Sequence, residues 1–302
     1  MSFETTREPH VSEIVREGAQ SLMVAGVESA WLDAEVLLGH ALAMTREQLI
    51  VSRGVPLGGE PASQFNALLQ RRLRREPLAY IIERKEFWSM EFVVTPDVLI
   101  PRPETELLIE IALGLVGQLH TGTPLRIVDV GTGSGAIAIS LAKELPRARF
   151  WATDSSIPAL ALARRNAGLN GVADQITFLA GDLLAAFTVE GGGFDLIVSN
   201  PPYLRTGEIA TLEPEVSQWE PRAALDGGAD GMEFYRRIAA QAWQLLKPGS
   251  GLVTEVGAGM GGDVLGIFSR AGCYRDAAVI QDYTGKDRVV MARNAAQPQR
   301  SK

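Results

Sequence analysis

From about Val11 to Arg75 apolar residues recur at three- and four-residue intervals, the spacing that lines one face of an α-helix. Ile14, Val15, Ala19, Leu22 and Met23 form one stripe. Leu32, Val36, Leu37, His40 and Ala41 form a second, and Phe65, Leu68, Leu69 and Leu73 a third. Thr45-Arg46-Glu47-Gln48 has the spacing of a capping box, in which two side chains satisfy free N–H groups at a helix start. The pattern predicts a small helical bundle in which His40 is a core or half-buried side chain.

The period changes between about Ile81 and Leu99. Phe87, Trp88, Phe92, Val93 and Val94 favour strands, and Thr95-Pro96-Asp97 reads as a turn. A β-hairpin joining two domains is the simplest account. From Arg102 to about Val116 a helix is expected, with Pro103 early in it and Glu104 and Glu106 at the positive end of its dipole. Strands and helices then alternate. Leu125 to Val130, Arg149 to Thr153, Ile176 to Ala180, Phe194 to Ser199 and Gly251 to Val256 are β-rich, with helices such as Ala136 to Leu145 and Ile157 to Leu169 between them. That rhythm predicts an α/β fold, a doubly wound parallel sheet of Rossmann type. Ala277 to Ile280 and Val289 to Ala292 are too close for a crossover helix and should pair antiparallel. The expected domains are residues 1–82 (helical), 83–100 (hairpin linker) and 101–302 (the sheet). There is no internal repeat, and Gly191-Gly192-Gly193 reads as a flexible turn.

Composition narrows the classes of function. The chain has 302 residues, ample for a buried core, and carries a net charge of -7, which disfavours nonspecific binding to phosphate backbones. The run Arg71-Arg72-Leu73-Arg74-Arg75 is a candidate basic patch, and its simpler reading is the solvated face of a helix. Cys273 is the only cysteine, and His10, His40 and His120 are scattered, so neither a disulfide nor a metal centre is expected. Met1-Ser2-Phe3-Glu4 does not read as a signal peptide, and no apolar run has the length of a membrane span. A cytoplasmic protein is the default expectation.

Three strand ends carry candidate cofactor chemistry. Ile127-Val128-Asp129-Val130 runs into Gly131-Thr132-Gly133-Ser134-Gly135 and then an apolar helix. Glycines allow sharp turns and close ligand approach, and the helix start offers free N–H groups. Asp154 ends the next strand, at about the 20-residue offset of a ribose-binding acid. Asp also suits the cap of the following helix, but together with the glycine loop the ribose role is favoured. Gly181-Asp182-Leu183 follows the third strand; Asp182 is placed to accept from an adenine amino group and Leu183 to pack on the ring, or the three residues form a plain turn. The G-x-G-x-G spacing departs from the dinucleotide G-x-G-x-x-G, and no second nucleotide-binding half follows. Both facts move the reading from NAD toward S-adenosylmethionine, whose sulfonium needs no pyrophosphate cradle.

Asn200-Pro201-Pro202-Tyr203 sits at the carboxyl end of the fourth strand, the sheet edge where ligands bind in open α/β folds. Two prolines stiffen the segment and remove N–H donors, leaving carbonyls to point into a site. The Asn200 side-chain oxygen and the Pro201 carbonyl suit both hydrogens of a planar NH2 group, with Tyr203 placed to stack on its plane. A tight turn after a strand is the plainer alternative. Physical reasoning reaches an amide or amino nitrogen and stops there.

Asp129 to Gly135 together with Asn200 to Tyr203 resembles class I methyltransferases acting on nitrogen. Ile100-Pro101-Arg102-Pro103-Glu104-Thr105-Glu106 resembles more narrowly the bacterial peptide chain release factor glutamine methyltransferases. Glu76-Pro77-Leu78-Ala79-Tyr80-Ile81, Glu220-Pro221, Ala224-Leu225 and Gly227-Gly228 fit the same family. The resemblance implies methylation of the glutamine in the Gly-Gly-Gln loop of class I release factors. It assigns S-adenosylmethionine to Gly131, Thr132, Gly133, Ser134, Gly135, Asp154, Asp182, Leu183 and Asn200. It assigns the glutamine to Asn200, Pro201, Pro202 and Tyr203, and release-factor recognition to the helical domain. An aromatic residue is common in the family where this chain has Leu183, so apolar packing replaces ring stacking there. A related family that methylates a ribosomal-protein glutamine shares Asn-Pro-Pro-Tyr, and Arg102 to Glu106 discriminates against it. Nucleic-acid amino methyltransferases use a similar tetrapeptide but usually need a basic groove.

Overall fold

A computed structural model describes residues 8–119, 123–188 and 193–295. His120, Gly191, Gly192 and the segment Met1 to Glu4, each used in the sequence reading, lie outside the described residues. The chain divides into two compact units, one of residues 1–83 with 213–219, the other of residues 84–212 with 220–302.

The first unit contains α1 (Val11–Val24), α2 (Ala30–Leu42), α3 (Arg46–Val51), α4 (Gly59–Leu73) and α5 (Leu78–Ile81). The Thr45 capping box forms as expected: Gln48 N–H donates to Thr45 Oγ1 at 3.3 Å, and Thr45 N–H donates to Gln48 Oε1 at 2.8 Å. Ile14, Val15, Ala19, Leu22, Phe65 and Leu69 are buried as the stripes predict, but Met23 is exposed.

The α2 stripe is corrected. His40 and Leu32 face solvent, while Asp33, Ala34, Glu35, Leu37 and Leu38 face the core. Apolar residues surround this helix, so periodicity does not select the face. Ion pairs let the two acids inside: Asp33 accepts from Arg72 Nε at 2.7 Å, and Glu35 from Arg46 Nε at 2.7 Å. Buried charges survive only when paired in this way.

The arginine run is corrected too. Arg72 is 5% exposed, and its guanidinium lies between Asp33 and Glu215. Arg71 pairs with Glu76 at 2.5 Å, and Arg75 with Glu215 at 2.6 Å. Of the four arginines only Arg74 is exposed. Glu215 sits on α9 (Pro214–Ser217), within the seven-residue strap that joins the first unit. Burial opposes its ionisation, but hydrogen bonds from Arg75 and Arg72 outweigh that and hold the carboxyl below its usual range.

The second unit opens with the hairpin β1 (Arg84–Phe87) and β2 (Met90–Val93), paired from Arg84↔Val93 to Phe87↔Met90. Trp88 and Ser89 make its two-residue turn with φ of 52° and 53°. A 3-10 turn at Pro103–Thr105 leads into α6 (Glu106–Val116). Then come β3 (Arg126–Val130), α7 (Ala136–Glu144), β4 (Arg149–Asp154), α8 (Ile157–Leu169), β5 (Ile176–Ala180) and β6 (Phe194–Ser199). After the strap follow α10 (Glu233–Leu245), β7 (Leu246–Glu255), α11 (Gly261–Ala271), β8 (Tyr274–Gln281) and β9 (Asp287–Asn294).

The seven strands lie in the order β5-β4-β3-β6-β7-β9-β8. The first five are mutually parallel, while β9 runs antiparallel to both β7 and β8, as the short terminal gap predicts. Strand β6 is uniformly buried, which explains its continuous apolar run. Leu108, Ile109, Ile139 and Leu141 cover one sheet face with Phe87 and Phe92 of the hairpin; Tyr235, Ile238, Val264 and Phe268 cover the other. The connection order reverses between β3 and β6, so their carboxyl ends open a crevice. No helix among the described residues is long and apolar enough to cross a membrane.

Candidate active site

The crevice holds a cavity of about 680 Å³, within the range of small-molecule sites at roughly 300–1,000 Å³. Its walls include the glycine loop, the ends of β4 and β5, and the segment after β6.

The three loop glycines are there for different reasons. Gly131 (φ 74°) and Gly133 (φ 54°) are left-handed, and a Cβ on either would project into open space beside the cavity wall. Gly135 (φ 85°) does not line the cavity; a Cβ there would come within 2.8 Å of Ile139 and 3.2 Å of Ala163. The first two keep room for a ligand, and the third lets α7 pack on α8. Thr132 and Ser134 line the cavity but are only 6% and 3% exposed. The Thr132 hydroxyl donates to Asp129 Oδ2 at 2.7 Å, so it is already committed. Burial pushes the Asp129 carboxyl up to about 7, against the hydrogen bonds from Thr132 and the Ala138 N–H.

Asp154 lies at the cavity, with Oδ2 accepting from Gly133 N–H at 2.9 Å and Oδ1 from Ser156 N–H at 2.8 Å. The cap of α8 is Ser156, whose hydroxyl accepts from Ala159 N–H. Asp154 therefore braces the glycine loop, and each of its oxygens keeps a further lone pair for a ligand. Asp182 and Leu183 also line the cavity. Asp182 forms an ion pair with Arg237, itself a lining residue, and Leu183 adopts φ 55° with its carbonyl accepting from Thr153 Oγ1 at 3.0 Å. A left-handed leucine is uncommon; this hydrogen bond helps to hold it there.

Asn200, Pro201 and Pro202 reach the cavity, whereas Tyr203 does not line it. The Tyr203 ring lies instead against Gly257 and Met260, where a Cβ on Gly257 would sit 3.1 Å from the ring and 2.6 Å from the Met260 sulfur. Burial pushes its phenol up to about 12. The backbone is clamped by the segment beyond the strap: Leu204 N–H donates to Leu225 O at 3.0 Å, and Gly227 N–H donates to Leu204 O at 2.8 Å. Gly227 has no room for a side chain, since its Cβ would lie 2.7 Å from Tyr203 Cα and 2.8 Å from Pro202 O.

Four participants have no individual role legible in the sequence, although Thr105 and Glu220 lie within the family motifs Arg102 to Glu106 and Glu220-Pro221. Thr105 and Glu255, 4% and 1% exposed, stand behind Asn200. Asn166, on α8, donates to Ser134 O at 2.9 Å and to Val93 O at 3.0 Å, tying the glycine loop to β2. Glu220 backs Arg102, a lining residue, in an ion pair; burial raises its carboxyl, and the Arg102 charge partly offsets the rise. Arg102 and Glu220 both belong to motifs quoted from the sequence, and their pairing gives those motifs a shared physical basis.

The parallel sheet with an antiparallel end, and a glycine loop facing a segment of Asn-Pro-Pro at the switch point, define a class I methyltransferase fold. Over 84% of this chain and 88% of the other, with a TM-score of 0.55 and 18% identity, the chain resembles the catalytic domain of hMettl16 solved in complex with an RNA hairpin, a likeness of fold alone. Residues 13–82 match the family described as PrmC N-terminal domain, and residues 112–214 the methyltransferase small domain. The release factor glutamine methyltransferase of Geobacter sulfurreducens is 46% identical over 89% of this chain and 91% of its own. That of Moorella thermoacetica is 43% identical over 91% and 95%. The chain belongs to the release factor glutamine methyltransferase family.

Proposed function

We propose that this protein transfers a methyl group from S-adenosylmethionine to the side-chain amide nitrogen of the glutamine in the Gly-Gly-Gln motif of class I peptide chain release factors. The observation that carries the reading is Asn200, held at the carboxyl end of β6 with its NH2 end turned toward Thr105. In this reading its oxygen accepts from a donor in the cavity, together with the carbonyl of Pro201, both residues lining that cavity.

Three features of the cavity support S-adenosylmethionine as the cofactor. The side-chain-free faces of Gly131 and Gly133 leave space along the loop, Asp154 retains acceptor capacity, and Leu183 offers an apolar surface. In this reading the loop from Gly131 to Ser134 takes the amino-acid portion, Asp154 the ribose hydroxyls, and Asp182 with Leu183 the adenine. Bound there, S-adenosylmethionine supplies an electrophilic methyl group on a sulfonium.

An amide nitrogen is a poor nucleophile because its lone pair is shared with the carbonyl. As the nitrogen attacks carbon, positive charge grows on it and its N–H bonds become more acidic. Acceptors at Asn200 Oδ1 and the Pro201 carbonyl therefore bind the transition state more tightly than the ground state, and that difference lowers the barrier. The prolines and the clamp from Leu225 to Gly228 hold both oxygens still, so little reorganisation accompanies transfer. The helical unit is assigned to gripping the release factor, and a cytoplasmic location follows from a substrate that acts on ribosomes.

Mass spectrometry of a release factor incubated with this protein and the cofactor tests the proposal. A single methyl on the Gly-Gly-Gln glutamine is expected. A methyl elsewhere, or one placed on a ribosomal protein or nucleic acid in preference, overturns the substrate assignment.

A further inference from the structure

The two ends of an asparagine amide are chemically opposite: Oδ1 accepts hydrogen bonds and Nδ2 donates them. Rotation about the terminal torsion exchanges the two at little intrinsic cost. A side chain that must present an oxygen to a substrate NH2 therefore needs a device that fixes which end faces the cavity. Behind Asn200 stands a chain of hydrogen bonds with one direction. Asn200 Nδ2 donates to Thr105 Oγ1 at 3.2 Å, and the Thr105 hydroxyl donates to Glu255 Oε2 at 2.6 Å.

A threonine hydroxyl has one hydrogen. An ionised Glu255 has none to give, so the hydroxyl hydrogen goes to the carboxylate and the threonine oxygen can only accept from Asn200. The donor end of the amide is thereby drawn inward and the acceptor end is left outward. We propose that Thr105 and Glu255 are positioning residues that set the polarity of Asn200, turning its oxygen toward the methyl-accepting nitrogen. The inference rests on the reading of Asn200 as the acceptor for a substrate NH2.

Three separate elements supply this chain: the turn before α6, the loop after β6 and the end of β7. Thr105 and Glu255 are 150 residues apart in sequence and both are buried, where an unneeded polar pair is costly. The charged and titratable groups around Glu255 are Glu104 beside Thr105, Tyr203 in the loop after β6, Tyr235 on α10 and Arg288 on β9. Burial raises the carboxyl to about 7, opposed by Thr105, Arg288 and Asn200 and reinforced by Glu104. Once protonated, Glu255 has a hydrogen to donate and the chain can run in either direction. Turnover should therefore fall as pH drops through this range, with cofactor affinity unchanged.

The test is a set of full-length variants assayed for release-factor methylation, with cofactor affinity measured by calorimetry. Glu255→Gln is isosteric and should lower kcat roughly tenfold above neutral pH, the scale of one lost charged hydrogen bond, with the cofactor Kd within about twofold. It should also abolish the acidic limb of the kcat profile. Asn200→Asp faces Glu255 with a second carboxylate and should be far weaker than wild type. Adding Glu255→Gln reverses the chain, since the introduced carboxamide donates to Thr105 and Thr105 donates to the introduced carboxylate. The double variant should recover at least about tenfold over Asn200→Asp alone, a rescue that a purely structural role does not produce. Wild-type kcat and pH profile in Glu255→Gln, or no rescue in the double variant, overturns the inference. Asn200→Ala separates the two levels: if it is inactive while Glu255→Gln is unaffected, only the polarity device is wrong. If it methylates normally, the acceptor reading itself falls.

Discussion

Replacing Arg72 with methionine removes a guanidinium that is 5% exposed but keeps most of its aliphatic volume. Three hydrogen bonds disappear: Nε to Asp33 at 2.7 Å, Nη1 to Glu215 at 2.8 Å and Nη1 to Glu76 O at 3.2 Å. Glu215 retains Arg75, so its loss is partial. Asp33, 2% exposed, keeps only the Ser29 hydroxyl at 2.7 Å and loses its counter-charge. Breaking a buried pair from one side costs about 3–5 kcal/mol, roughly a fifth or more of the stability of a typical domain at about 5–15 kcal/mol. Hydrogen exchange followed by mass spectrometry reads this directly. At about 1.4 kcal/mol per tenfold, the slowest amides of α1, α2 and α4 should exchange roughly 150- to 4,000-fold faster. Adding Asp33→Leu should restore most of the protection, because a well-packed apolar pair replaces a buried ion pair at little net cost. Acceleration of less than about fivefold in Arg72→Met would refute the view that this pair holds the bundle together.

Three further outcomes are expected. Asp154→Ala removes the brace on Gly133 as well as an acceptor, and should weaken cofactor binding at least about tenfold by calorimetry; unaltered affinity refutes the assignment. Gly227→Ala drives a methyl against the backbone of Tyr203 and Pro202, so kcat should fall by roughly tenfold or more with the cofactor Kd held; normal turnover would show that the clamp is not needed. Asp129 and Glu255 are both raised to about 7 by burial, so their stabilising contribution is full below the ordinary carboxylate range and is lost as pH rises through 7. Thermal unfolding of Glu255→Gln should accordingly lose less stability between pH 5 and 8 than wild type, by up to about 1.4 kcal/mol per pH unit, and parallel curves would contradict this.

Much of the fold was legible because parallel strands buried on both faces read as short apolar runs, as β6 does from Phe194 to Ser199. The glycine loop and Asn200 were legible because special backbone and strand-end positions restrict residue choice locally. What escaped was set by distant partners. Asp33 and Glu35 look like surface residues until Arg72 and Arg46 arrive from elsewhere in the chain, and they displaced the expected buried face of α2. The same holds for the arginine run, which resembles a solvated face because its acids lie partly in the strap. Thr105 falls within the family motif Arg102 to Glu106, but its pairing with Glu255, 150 residues away, is visible only in the fold. Tyr203 differs from its neighbours: adjacency in sequence suggests that it shares their place at the cavity, whereas its ring packs beside Met260.

The strap from Glu213 to Trp219 has a consequence for how such proteins can be recombined. A cut at residue 83 does not release an intact helical unit, because Glu215 is left behind and Arg72 and Arg75 lose a counter-charge. Grafting the helical region of one relative onto the catalytic region of another must therefore carry two separate stretches, the amino-terminal one and those seven residues. Arginines and glutamates that meet across that join have to be inherited together, so an exchange that looks modular along the chain is not modular in charge.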